Sequence, residues 1–158
     1  MRKKILFAFL LALATIFVLP IFFSGCSSRF ASAKNNTSEA GTTPPIANPV
    51  QSNAEGAVTV VVTWEGVKAG KLSFSVVMDT HSVDLDGYDL KVLATLTDAE
   101  GKQLSPLSWI APAGGHHRSG QLVFSTPESL VQGKDGVYEL RLRDIAGVPE
   151  RVLTWKIN

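Results

Sequence analysis

Cysteine is almost missing from this 158-residue chain, in which Cys26 is the sole example. Whatever folds beyond it does so without a disulfide and relies on its own hydrophobic core. Charge is sparse too: Asp, Glu, Lys and Arg make up 18% of residues. Arg2, Lys3 and Lys4 crowd the N-terminus, and without these three cations 12 Lys and Arg face 14 Asp and Glu, a net charge of −2. That balance excludes the basic excess that draws a domain to nucleic acid. Histidine is scarce as well, with three in all, and two of them are neighbours in "GGHHRSG". Sustained helical periodicity is lacking after the first apolar run.

What is present divides the chain into three parts. The three cations precede an almost unbroken apolar run from Ile5 to Phe23, the layout of an export signal. The signal ends at Phe23-Ser24-Gly25-Cys26, which resembles a bacterial lipobox. The resemblance implies removal of residues 1–25, diacylation of Cys26, and attachment to the cell membrane or outer membrane. Two acyl chains suffice for stable anchoring. Phe23 stands where the lipobox usually has leucine. An uncleaved spanning helix is the alternative, since the run approaches the ~20 residues that crossing requires; both readings put the remainder outside the cytoplasm. Residues 26–56 include "SEAGTTPPIANPVQSNAEG", which lacks apolar periodicity and reads as a flexible linker.

Residues 57–158 have the size of one domain and alternate every second residue. Val58, Val60, Val62 and Trp64 share a face, as do Leu72, Phe74, Val76 and Met78, then Leu90, Val92, Ala94 and Leu96. The same period continues through Leu122 and Phe124, through Tyr138, Leu140 and Leu142, and through Leu153, Trp155 and Ile157. The expected strands lie at about 58–64, 71–79, 89–97, 103–110, 120–126, 136–143 and 150–157. Such a set predicts an all-β fold, a seven-stranded antiparallel sandwich. The stretch "DGVYELRLRDIAG" (135–147) resembles the late strands of bacterial extracellular immunoglobulin-like domains. In that family an early tyrosine packs at a corner, and Tyr138 matches it. The family's frequent disulfide and its strand-C tryptophan are absent, and the resemblance covers about the last third of the domain.

Strand alternation sends the connections "THSVDLDGY", "APAGGHHRS" and "DIAGVP" to one end of the sandwich. His81, His116 and His117 therefore share a pole with Asp84, Asp86 and Asp89. Imidazole and carboxylate are ligands for copper(II) and zinc, so His81, His116 and His117, assisted by Asp84 or Asp86, form a candidate metal site. Periplasmic copper-carrying sandwiches are similar in outline. The competing expectation is a metal-free pole of solvated loop residues. Asp84, Asp86 and Asp89 around Gly87 lack the further oxygens and closing glutamate of a calcium loop. Arg118 with Gly114, Gly115 and Ser119 suggests an anion pocket or a partner contact, or a pair with a neighbouring aspartate; Trp109 would wall a pocket there. Ser82 follows His81 but in extended chain points to the opposite side. Ser119 near His117 would still need an orienting acid and an oxyanion hole, so an enzyme is not expected. Two functions stand: a ligand-binding module holding copper(II) or zinc, and a structural module that binds another envelope protein.

Overall fold

The computed structural model describes residues 46–158. The signal segment 1–25, Cys26 and the linker up to residue 45 lie outside the described residues. From Ile46 onward the chain forms, in order, β1 (Val50–Asn53), β2 (Val58–Lys68), β3 (Lys71–Thr80), α1 (Leu90–Leu93), β4 (Ala94–Thr97), β5 (Gln103–Leu104), β6 (Ser108–Ile110), β7 (His117–Ser125), α2 (Glu128–Val131), β8 (Gly136–Ile145) and β9 (Val148–Ile157). Two sheets result, ordered β1-β2-β3-β7-β6 and β5-β4-β8-β9. Every paired strand is antiparallel.

The period-two residues fill the space between the sheets. Val58, Val60, Val62, Leu72, Phe74, Val76 and Met78 are fully buried, and so are Leu122, Phe124, Tyr138, Leu140 and Leu142 from later strands. Burying one such side chain stabilises the fold by ~1.5–3 kcal/mol. Trp64 packs edge-on against Phe74 at 5.2 Å and lies 5.7 Å from Trp155, so aromatic rings from both sheets meet at the centre. At the crossover from β7 to β8 the Tyr138 hydroxyl donates to Ser129 Oγ, which donates in turn to the buried Asp98 carboxylate, each at 3.1 Å.

Nine strands among the described residues replace the seven expected, for two local reasons, and a third local effect shortens one of the seven. The linker was expected to reach residue 56, yet Val50–Asn53 pairs with β2. Its short polar sequence gives no alternation to read, and pairing with an existing edge suffices to order it. The expected strand at 103–110 divides into β5 and β6, which belong to different sheets. Buried Pro106, with no N–H for a ladder, sits at the crossing. In the expected strand at 89–97, Asp89 Oδ1 accepts the Lys91 amide at 2.9 Å and caps the single turn α1. That turn buries Leu90 but leaves Val92, expected inside, 77% exposed.

Two hairpins close tightly. Lys68 pairs with Lys71 around Ala69 and Gly70, at φ 50° and 71°. Ile145 pairs with Val148 around Ala146 and Gly147, at φ 51° and 76°. Left-handed φ at both central residues is the two-residue turn that matches strand twist. The expected loop "DIAGVP" is thus mostly strand.

Candidate functional site

Strand order brings the three histidines to one end. Backbone bonds join their loops: Thr80 N–H donates to His116 O at 3.0 Å, and Leu85 N–H to Gly115 O at 2.9 Å. The bonds zip the β3–α1 connection onto the β6–β7 connection. The latter turns sharply at Gly114 and Gly115. A side chain at Gly114 would come within 2.3 Å of His117 O, and Gly115 has φ +58°. Glycine at both positions lets the two histidines follow directly on the turn.

Arg118 is the hub of this pole. Only 10% of its side chain is exposed. Its Nη1 lies 2.8, 3.1 and 2.9 Å from the carbonyl oxygens of Leu85, Asp86 and Tyr88. Its Nε donates to Pro112 O at 3.3 Å. One guanidinium thereby ties both loops to β7. The ring of Trp109 lies 5.8 Å from the guanidinium carbon and supports it from beside. Gly120 permits that approach, since a side chain there would meet Trp109 at 2.8 Å and Ala111 at 2.5 Å. The nearest polar neighbours of Arg118 are carbonyl oxygens, and the Gly114 and Gly115 amides expected to line an anion pocket with it go to Asp86 Oδ1. Pairing with a neighbouring aspartate comes closer, because Asp86 Oδ1 lies 3.9 Å from Nε.

The aspartates serve the backbone. Asp84 Oδ1 accepts the Asp86 amide at 3.0 Å, while Asp89 caps α1. Asp86 Oδ1 accepts the amides of Gly114 and Gly115 at 2.8 and 3.2 Å. The Gly114 bond, aided by that of Gly115 and by Arg118, holds the Asp86 carboxyl below the ordinary carboxylate range, against a smaller opposing effect of desolvation. His116 Nδ1 bonds Val83 O at 2.8 Å, and His117 Nδ1 bonds Asp79 Oδ1 at 2.7 Å. His81 stands exposed in the first loop. Among the described residues no three His, Cys, Asp or Glu side chains are grouped to hold a metal ion.

A third connection joins the same end. Ala146 N–H donates to the Tyr88 hydroxyl at 3.1 Å. Arg151, fully buried on β9, donates from Nη1 to Ile145 O at 2.9 Å and from Nη2 to Glu55 O at 2.7 Å. Burial pushes its pKa down. Sequence reasoning did not single out Arg151 or Tyr88. Arg151 carried a signal, because it is in phase with the inward residues Leu153, Trp155 and Ile157. The opposite end of the sandwich holds the Ala69-Gly70 turn, α2 and the end of β9, where Ile46 lies beside Val137 and Lys156. Comparison with protein-family models, with curated proteins and with solved structures finds no match to this chain.

Proposed function

We propose that the chain is a non-catalytic, lipid-anchored module of the extracytoplasmic envelope, with an immunoglobulin-like sandwich whose histidine pole docks another envelope protein. Strand order supports the immunoglobulin-like part. With β1 set aside, β2-β3-β7-β6 and β5-β4-β8-β9 follow the sequence of neighbours A-B-E-D and C′-C-F-G. The Tyr138 hydroxyl, bonded to the Ser129 side chain at the β7–β8 crossover, parallels the family's corner tyrosine, which bonds the backbone instead.

The observation that carries the docking role is the Arg118 clamp. It fixes the β3–α1 and β6–β7 loops as one preformed surface, and preformed loops bind proteins without a large ordering cost. Among the described residues no three His, Cys, Asp or Glu side chains are grouped to hold a metal ion, which favours a protein partner over copper(II) or zinc.

The test is site-specific photocrosslinking of the full chain in its native envelope. A photoreactive residue in place of exposed His116 should give a discrete protein adduct, and one in place of Thr95 should not. No adduct from His116, or the same adducts from both positions, would refute the docking role. Saturable copper(II) or zinc binding that disappears in the His116→Ala, His117→Ala double variant would return the pole to metal chemistry.

A further inference from the structure

At the end of the sandwich away from the histidines, the segment Ile46–Asn48 runs over the ends of β8 and β9 and leaves a cavity of about 380 Å³. That volume is within the ~300–1,000 Å³ range of small-molecule sites. Ile46, Ala47, Val137 and Trp155 give it an apolar lining. Its polar groups are the amides of Asn48 and Gln51, the Thr154 hydroxyl and the Lys156 ammonium. Val137 and Lys156 are cross-strand partners, so an exposed apolar side chain and the cation stand side by side.

Charge selects the occupant. Among the described residues, no Asp or Glu lines the cavity, and Lys156 supplies the one formal charge there, a positive one. Among the described residues, Lys156 has no ion-pair partner within 4.0 Å. The indole N–H of Trp155 is already used, donating to Pro49 O at 2.9 Å, and Trp155 is only 1% exposed, so Ile46, Ala47 and Val137 supply the accessible apolar surface. An apolar floor beside an ammonium, amide N–H groups and a hydroxyl matches a molecule with a short hydrocarbon tail and a carboxylate head. We infer that this cleft is a binding site for a small aliphatic carboxylate, with Lys156 as its counter-ion and Val137 and Ile46 against its tail. The site is separate from the histidine pole and stands or falls independently of the docking role.

Calorimetric titration of the full chain in nanodiscs tests it, with 4-methylpentanoate as the probe and 4-methylpentylamine as the control of opposite charge. The acid should bind with a Kd on the order of 1 mM or tighter, as expected for so few atoms. The amine should bind at least tenfold more weakly. Lys156→Gln should cost the acid tenfold or more, while Lys156→Arg should retain it. Lys156 is solvent-exposed, so the thermal midpoint of either variant should match that of the parent. Equal binding of amine and acid, undiminished affinity in Lys156→Gln, or no binding of the acid would each overturn the inference. Binding only after deletion of residues 38–45 would assign the cleft to the chain's own approach to Ile46 and would overturn it too.

Discussion

The Asp86 carboxylate accepts the backbone amide of Gly114 at 2.8 Å, across 28 positions of sequence. The bond joins the loop that contains His81 to the loop that contains His116 and His117, and Arg118 draws the same two loops together from below. A carboxylate and a guanidinium of opposite sign therefore brace one rigid tip.

That bond should make the tip acid-sensitive. The folded-state pKa of Asp86 lies below its unfolded value of about 3.9, so its contribution is complete above that pH and lost as pH falls through the folded value. In thermal unfolding of the full chain, Asp86→Asn should melt below the parent at pH 6. The two curves should converge as the pH drops below about 4. A constant gap down to pH 2.5 would show that the carboxylate's charge is irrelevant to the clamp.

The hairpins offer a gain in stability. Ala69 and Ala146 adopt left-handed φ of 50° and 51°, which costs an ordinary L residue roughly 1–2 kcal/mol. Exposed Ala69 can be replaced by Asn, which tolerates the left-handed region, for a gain of about 1 kcal/mol. Ala146→Gly should give about half as much, because glycine loses more entropy on folding. The turns lie at opposite ends of the sandwich, so the double variant should show the sum in urea denaturation. A lower midpoint for Ala69→Asn would exclude left-handed strain as a cost at that turn.

Arg151 should be hard to replace. Arg151→Met fills similar space but removes the donors to Ile145 O and Glu55 O, at a cost of roughly 1–3 kcal/mol for the buried Ile145 bond and less for that to exposed Glu55. The loss is expected in the urea midpoint with the slope unchanged. A variant as stable as the parent would mean that water takes over both carbonyls.

Much of the fold was legible because strand residues declare themselves by phase. Val58, Val60, Val62 and Trp64 point inward as their spacing demands. The exceptions are local. Leu90 and Val92 have strand spacing, but the Asp89 cap, a side-chain bond to the backbone, overrides it in favour of one helical turn. Leu104 and Ile110 read as one segment in the sequence, and buried Pro106 divides them between sheets. At the pole, parity located the histidines but could not say where their ring nitrogens point. Asp84, Asp86 and Asp89 are as suitable for capping amides as for holding cations, and in the fold each takes an amide. The role of Arg118 was hidden for a similar reason: its acceptors are main-chain carbonyls, and every residue type supplies those.

Trp109 has a consequence of its own. Trp64 and Trp155 lie together among the core rings, whereas Trp109 rests beside the guanidinium of Arg118. The three indoles thus occupy two environments, and only one of them adjoins the loops. Emission from Trp109, isolated by replacing the other two indoles with phenylalanine, would act as an optical gauge that reads loosening of the tip while the sandwich beneath stays intact.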